Sequence, residues 1–199
     1  MATVFLLSPA RCSGRRADML VSSRTSVMGR RLRGEGAQIG DVFAWLSALY
    51  FRGKLAYANT FAAAPRQLPG SLVMAPGLGL RPVDSVITAD DLRTMGAIEI
   101  ESDAFVDPLR RDAEIVDRTY GTAARIVLLG SIATGKYAAT LLETFGTRLV
   151  FPESFVGRGD MSRGGLLLRA ARSREELSSV PLHKAKRHGP RPPKLPNLR

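Results

Sequence analysis

The sequence predicts an α/β fold with a mostly parallel central sheet flanked by helices. Short apolar runs at residues 3–7, 71–75, 125–129 and 148–151 have the composition of buried strands. Helical patterns separate these runs, and the alternation of strand and helix is typical of parallel sheets joined by crossover helices. Each run also ends in small or flexible residues, as expected where a strand meets a loop.

In the first half of the chain, the strand Thr3–Leu7 is followed by a basic loop, Ser8–Arg16, and residues 22–38 are predicted as a longer loop. From about Gly40, apolar residues recur at i, i+3, i+4 and i+7, which predicts a helix. This helix leads into an aromatic and cationic stretch, Tyr50–Ala58.

The remaining predicted elements alternate in the same way. They are a strand at 71–75, a short helix at 90–95, an edge strand at 97–100, a helix at 107–120, a strand at 125–129, a helix at 134–145, a strand at 148–151 and a helix at 165–177. We predict a single α/β domain over residues 1–180 and an extended, basic, Pro-rich tail over residues 181–199.

Positive charge is concentrated at the two ends of the sequence. The net charge is +11, with seven arginines and one acid in residues 1–33, and six lysines and arginines with no acid in residues 183–199. Residues 84–117 hold ten acids and three arginines. This polarity favours a polyanion as the partner, with DNA as the first expectation and RNA as an alternative, although basic charge also serves solubility.

Cysteine and histidine content argues against several kinds of site. Cys12 is the only cysteine, and both histidines, His183 and His188, lie in the tail. An internal disulfide is therefore impossible, and no metal site or cofactor is predicted. The apolar run at residues 3–7 is too short for a signal peptide or a membrane span, so we expect a cytoplasmic monomer with no membrane contact.

The ends of the predicted strands point to a ligand site. They lie at Ser8–Pro9, Pro76–Gly77, Gly130–Ser131 and Pro152–Gly159. Because parallel strands share one carboxyl edge, and open α/β sheets bind ligands there, we expect the site at this edge.

A glycine-rich stretch follows the last predicted strand. Four glycines between residues 157 and 165 surround Arg158, Asp160 and Arg163, and Arg169 follows. Glycines allow close approach of a ligand, and arginines suit phosphate, so an anion site is one interpretation. A tight turn with solvent-exposed arginines is the other.

Residues 130–136 match the phosphate-loop pattern G-x-x-x-x-G-K in the expected strand–loop–helix context. Tyr137 follows where a magnesium-holding Ser or Thr is usual, and no strand ends in the Asp of a partner metal site. A nucleotide-binding protein is therefore kept only as an alternative.

Several segments resemble the YaaA family of bacterial DNA-binding peroxide-stress proteins. Leu6–Arg11 is similar to its N-terminal "ISPAK" segment, and Leu78–Asp84 to its "YGVLRPLD" turn. Val127–Tyr137 resembles its later strand ending in Ser-x-x-Tyr, and Gly157–Arg163 its "ARGLMSR" loop. The order and strand-end placement of these segments also agree.

The resemblance implies a fold related to uracil-DNA glycosylases, which extrude a base from the duplex and cleave its N-glycosidic bond. The chain has no His-Pro-Ser motif of the standard uracil enzymes, which argues against uracil as the base. Asp160 and the pair Gly135–Lys136 are absent from the YaaA pattern, and the extra carboxylate favours an enzyme.

The leading hypothesis is therefore a DNA glycosylase-like enzyme that removes a damaged or modified base, including bulky modifications of the kind found in viral genomes. A non-catalytic DNA-binding stress protein is a second hypothesis. The candidate catalytic residues are Asp160, Ser8 and Ser131; the candidate base-binding residues are Tyr50, Tyr137 and Arg11; the candidate phosphate-binding residues are Arg52, Lys54, Arg158, Arg163, Arg169, Lys184, Lys186 and Arg187. Around Tyr50–Lys54 the alternative is packing at the edge of the core, with the charges directed outward.

Overall fold

A six-stranded, mostly parallel sheet lies at the centre of the computed structural model, which describes residues 1–133 and 135–195. The strands are β1 (Thr3–Leu7), β2 (Ala37–Gln38), β3 (Ser71–Ala75), β4 (Gly79–Pro82), β5 (Val86–Ile87), β6 (Arg125–Leu129), β7 (Leu149–Pro152) and β8 (Ser179–Pro181). The sheet order is β4-β3-β1-β6-β7-β8, and β2 pairs separately with β5. The predicted α/β class, with its mostly parallel sheet, is confirmed.

The four inner strands, β3, β1, β6 and β7, run parallel, and the two edge strands pair antiparallel to them. Strand β1 lies in the middle, and its residues from Val4 to Leu7 are fully buried. Leu7 pairs with Val73 on one side and with Leu129 on the other, so the strands end at nearly the same level. The residues after Leu7 and Leu129 therefore come together at the carboxyl edge.

The direction of chain winding changes at β1. The chain leaves β1 for β3 on one side and later returns to β6 on the other side. This reversal makes a topological switch point, and in open α/β sheets the crevice at such a point is where ligands bind.

Eight α-helices complete the described part of the chain. They are α1 (Arg15–Ser22), α2 (Val27–Arg33), α3 (Ile39–Ser47), α4 (Leu49–Phe61), α5 (Ala89–Gly96), α6 (Asp103–Tyr120), α7 (Lys136–Phe145) and α8 (Asp160–Ser173). Helix α4 packs on α8, and α6 packs on α7. The sequence predicted one helix from about Gly40 that leads into the stretch at Tyr50. The structure has two helices here, α3 and α4, separated by a break at Ala48, whose φ is 48°.

Two predictions were wrong: the long loop over residues 22–38 and the edge strand over residues 97–100. Residues 22–38 contain α2, which the Ser26 hydroxyl caps by accepting from Gly29 N. Arg33 ties α1 to α2 by donating to the carbonyls of Val21 and Ser23. Residues 97–100 form turns rather than an edge strand.

The glycine-rich stretch after β7 is shorter than predicted, because α8 begins at Asp160 rather than at Gly165. Gly164 and Gly165 are poor helix formers, but Gly164 lies against the backbone of α4 at Leu49 and Tyr50. This close helix packing outweighs the low helix propensity of glycine. Arg163 and Arg169 are therefore helical residues.

The predicted boundary at residue 180 falls inside β8, which pairs with β7. Beyond it, Leu182 is buried, and the Pro190 carbonyl lies next to Gly157. Residues 196–199 of the predicted tail lie outside the described residues, and the division into a domain and a tail stays a prediction.

Candidate active site at the carboxyl edge of the sheet

A pocket of about 500 Å³ opens at the switch point between β1 and β6. It is lined by Ser8, Pro9, Ala10, Arg11, Arg16, Leu46, Ser47, Tyr50, Lys54, Ile100, Ser131, Tyr137 and Asp160. Six residues predicted for catalysis or base binding are therefore brought together, although they come from four separate parts of the sequence: residues 8–11, 50, 131–137 and 160. A neighbouring cavity of about 510 Å³, between residues 9–13 and 95–101, is as large but gathers fewer of these polar groups.

Ser8 and Lys54 form the most buried polar contact in the pocket. The Lys54 ammonium donates to the Ser8 carbonyl at 3.0 Å and lies 2.7 Å from the Ser8 hydroxyl oxygen. Lys54 is 1% exposed and Ser8 is 6% exposed. The predicted role of Lys54 as a DNA-phosphate contact is wrong, because its amine lies inside the protein and is directed to the end of β1.

Burial also changes the acidity of Lys54. Removal of water from the charged form lowers its pKa to about 7, and the Arg163 charge acts in the same direction while Asp160 opposes it. A lysine of this kind can accept a proton near neutral pH, which an exposed lysine does not do.

Tyr50 lies beside Lys54 and is itself buried. The Lys54 amine is 4.1 Å from the centroid of the Tyr50 ring. The Phe155 ring packs edge-on against the Tyr50 ring, with 6.4 Å between the two centroids. The predicted stacking of a base on Tyr50 does not agree with its burial, because only 5% of the residue is exposed and Lys54 lies over one face of the ring. Burial raises the pKa of its hydroxyl, which has no hydrogen-bond partner among the described residues, although Arg163 lies near enough to oppose the shift.

Tyr137 closes the loop that follows β6. Its hydroxyl accepts from Ser131 N and donates to the Ser131 carbonyl, both at 2.9 Å. A Cβ atom on Gly130 would lie 2.5 Å from the Tyr137 hydroxyl and 2.9 Å from Ser8 Cβ, so glycine is required there. One loop amide is therefore bound to Tyr137 rather than directed to a phosphate. Thr134 and the Lys136 side chain of the phosphate-loop match lie outside the described residues.

Asp160 is the exposed acid of the pocket. It is the first residue of α8, its side chain is 69% exposed, and its carboxylate is 3.7 Å from the Arg163 guanidinium. The Arg163 side chain is only 11% exposed, donates to the Phe155 carbonyl and lies over the Phe155 ring. Arg163 therefore orders the start of α8 and offers little surface for a phosphate.

The other predicted phosphate contacts lie outside this pocket. Arg52 is exposed on α4, and Arg158 donates to the carbonyls of Ser154 and Pro193. Arg158 and Arg169 line a separate cavity of about 750 Å³ beside residues 191–195. Lys184, Lys186 and Arg187 are exposed, and a guanidinium nitrogen of Arg187 lies 3.6 Å from the position of a Cβ on Gly135.

Sequence reasoning missed Arg16 as a pocket residue. It lies in the first turn of α1, donates to the Trp45 carbonyl at 2.7 Å and places its guanidinium over the Trp45 ring. Residues 8–16 were predicted as a basic loop, so Arg16 was not considered as a site residue, although it lies only eight residues after Ser8 in the sequence.

Comparison of the chain with protein-family models, curated proteins and solved structures found no match in any of the three. The YaaA resemblance therefore stays a prediction. Among the described residues, no helix has both the length and the apolar character needed to cross a membrane.

Proposed function

We propose that this protein is a DNA glycosylase-like enzyme that removes a damaged or modified base by hydrolysis of its N-glycosidic bond. The observation that supports this proposal is the gathering of Ser8, Ser131, Tyr50 and Asp160 around one pocket at the switch point. The pocket volume of about 500 Å³ lies in the ordinary range for ligand sites and leaves room for an extruded base.

Glycosidic cleavage requires an anion near the sugar and hydrogen-bonding groups near the leaving base. Among the described residues, Asp160 is the only carboxylate that lines the pocket, and its exposure leaves it accessible to an incoming nucleotide and to water. It would support the oxocarbenium-like sugar or orient the attacking water. The Ser131 side chain lines the pocket and is available to the base, whereas the Tyr50 hydroxyl is buried beside Arg163 and forms part of the pocket wall.

Arginines near the pocket suit the flanking phosphates. Arg11 and Arg16 line it, and Arg187 lies beside the loop that follows β6. Arginine binds phosphate in a bidentate manner, and cations on two sides of a pocket would hold the backbone on either side of an extruded nucleotide.

The test uses duplex DNAs that each carry a different modified base. After incubation with the protein, alkali breaks the strand at any abasic site, so a shortened strand reports base removal. We expect Asp160→Asn to lower the rate by about a hundredfold or more, the range for loss of a catalytic acid–base group, while DNA binding is retained.

The matched control is Asp41→Asn, because Asp41 is also an exposed acid in the first turn of its helix but does not line the pocket. It should leave the rate unchanged. If no modified DNA is cleaved although the protein retards DNA in a gel, the proposal fails and the non-catalytic DNA-binding hypothesis takes its place. Cleavage that is equal in Asp160→Asn and in the unaltered protein would remove Asp160 from the mechanism.

A further inference from the structure

The contact between Ser8 and Lys54 has the arrangement of an activated serine. Their side chains are 2.7 Å apart, and both lie at the inner end of the pocket. Among the described residues, Lys54 forms no ion pair, and Asp160 acts on it only through its charge. The lysine thus has a hydroxyl as its side-chain hydrogen-bond partner, which is unusual for a buried amine.

The backbone fixes the direction of this contact. The Ser8 carbonyl accepts a hydrogen bond from Lys54, and a carbonyl oxygen can only accept. A neutral lysine would use one N–H for this bond and would have its lone pair free to accept from the Ser8 hydroxyl at 2.7 Å. The same geometry therefore holds the amine in place while the Ser8 proton is transferred to it.

We infer that Ser8 is a nucleophile, that Lys54 is the base that removes its proton, and that the pair performs acyl transfer on an ester carrying a negative charge. Serine–lysine pairs are a known variant of the serine nucleophile with its adjacent base. Arg11 and Arg16 line the same pocket and supply the positive charge for the anionic part of the ester. This inference does not rest on the glycosylase proposal, in which Asp160 supports the chemistry.

The reaction is balanced without a cofactor. The Ser8 oxygen forms a bond to the acyl carbon, its proton moves to the Lys54 amine, and the bond between the acyl carbon and the leaving oxygen breaks. Lys54 then returns the proton to the leaving alcohol. In a second step, water attacks the acyl carbon and gives a proton to Lys54, the bond between the acyl carbon and the Ser8 oxygen breaks, and Lys54 returns the proton to that oxygen.

The groups that face Lys54 affect the pH at which its amine loses a proton. On its own helix, α4, these are the rings of Tyr50 and Phe51. From α8, Asp160 raises the Lys54 pKa and Arg163 lowers it, and on α7 the Tyr137 hydroxyl lies within hydrogen-bond reach of the Ser8 side chain. Burial is the largest effect and lowers the lysine pKa to about 7, so the amine becomes neutral as pH rises through this value.

The first experiment labels the full-length protein with a fluorophosphonate, which reacts with activated serines by loss of fluoride. We expect one adduct, located at Ser8 by mass spectrometry of the tryptic peptide 1–11. The labelling rate should rise about tenfold between pH 6 and pH 8, as the fraction of neutral lysine increases.

Variants separate a catalytic role of Lys54 from a structural one. Ser8→Ala should abolish the adduct, and Lys54→Arg, which keeps the positive charge but cannot act as a base, should lower labelling at pH 8 by about a hundredfold. Ser22→Ala is the control, because Ser22 is exposed, its hydroxyl donates to the Asp18 carbonyl, and it does not line the pocket. If Lys54→Arg does not fold, the pH profile of the unaltered protein still decides the question. Absence of a Ser8 adduct, or a rate that does not change from pH 6 to pH 8, would overturn the inference.

The second experiment tests the substrate class. Release of nitrophenolate, corrected for spontaneous hydrolysis, is compared for 4-nitrophenyl benzoate and for the mono-4-nitrophenyl ester of terephthalate, whose para carboxylate cannot reach its own ester carbonyl. We expect the terephthalate ester to react faster with the protein and Arg11→Ala to remove the difference. Equal rates for both esters in the unaltered protein would overturn the assignment to anionic esters.

Discussion

Lys54 shows how one buried side chain connects the stability of this protein with its chemistry. Its amine is fully enclosed, yet it is held by Ser8 and lies against the aromatic ring of Tyr50. A charged lysine without a carboxylate partner is costly to bury, and the protein responds with a lowered pKa. Such perturbed groups occur preferentially at functional sites, where the cost in stability is offset by reactivity.

This environment predicts a pH-dependent stability. The pKa of Lys54 falls from 10.5 to about 7 on folding, so between these values the unfolded chain binds a proton that the folded chain does not. The free energy of unfolding should therefore rise with pH across this interval, by up to about 1.4 kcal/mol per pH unit, and this contribution should be constant below pH 7. Urea unfolding from pH 6 to pH 9 measures it as the difference between the unaltered protein and Lys54→Met.

Comparison with a variant is needed because the raised pKa values of Cys12 and Tyr57 have the opposite effect at high pH. Lys184→Met, which changes an exposed lysine, is the matched control and should leave the pH dependence as it is. Parallel curves for Lys54→Met and the unaltered protein would show that Lys54 keeps an ordinary pKa in the folded state.

At the scale of elements, the crossing of α4 and α8 brings the site together. A Cβ on Gly53 would lie 2.7 Å from the Gly164 carbonyl, and a Cβ on Gly164 would lie 2.7 Å from the Leu49 carbonyl. The two helices thus meet backbone to backbone. Lys54 follows Gly53 on one helix, and Asp160 lies one turn before Gly164 on the other, so the crossing places both in one pocket.

We therefore expect Gly164→Ala to destabilise the protein. The added methyl group would force the helices apart at a contact with backbone atoms, which cannot rotate away, and the cost should be about 1–3 kcal/mol. Chemical unfolding measures this change, and the fluorophosphonate rate reports whether the pocket is also disturbed.

Gly165→Ala is the matched control, since Gly165 is the next residue of the same helix and its Cβ would lie at an ordinary 3.5 Å from Leu195. Alanine is the better helix former, so this variant should be as stable as the unaltered protein or more stable by up to about 1 kcal/mol. Equal effects of the two substitutions would show that the helices do not pack as closely as described.

Over the whole molecule, positive charge is found near the pocket as well as on other surfaces. Lys186 and Arg187 belong to the exposed basic segment whose Arg187 lies beside the loop after β6. Arg66 precedes β3, and Arg118 lies in the last turn of α6 before β6, so both belong to the opposite, amino-terminal edge of the sheet. We therefore expect that cations near the pocket contact DNA and that cations at the opposite edge do not, although both contribute to the net charge of +11.

The proposed DNA partner leads to a prediction at this scale. Replacing Lys186 and Arg187 together by Ala should weaken DNA binding and make the slope of log K against log salt shallower by up to about two, because each lost phosphate contact removes nearly one unit. Fluorescence anisotropy with a short duplex at several salt concentrations measures this slope.

The control removes two exposed cations from the far edge of the sheet, as Arg66→Ala with Arg118→Ala. This variant loses the same charge and should keep the slope of the unaltered protein. A similar change of slope in both variants would indicate that DNA responds to net charge alone, and that no particular surface is used.

Local sequence patterns were sufficient for the inner strands of the sheet and for part of the site. The strands at 3–7, 71–75 and 125–129 were predicted with the observed bounds, because unbroken apolar runs can be buried on both faces only inside a sheet. The edge strands β4 and β8 were missed, since each is short and rich in residues that also suit loops. The start of α8 was also misplaced, because glycine has a low helix propensity and the local sequence does not show that Gly164 packs against α4.

The sequence by itself determined the α/β class and the meeting of Ser8, Ser131 and Asp160 at one edge, because the ends of parallel strands necessarily share that edge. Only the tertiary structure decided the position of Lys54, which lies 46 residues from Ser8 and reaches it through the close crossing of α4 and α8. In the sequence, a lysine beside aromatic residues has the pattern of an exposed phosphate contact. The neighbours that remove its water come from other helices and strands, so its burial and lowered pKa follow from packing that no local pattern records.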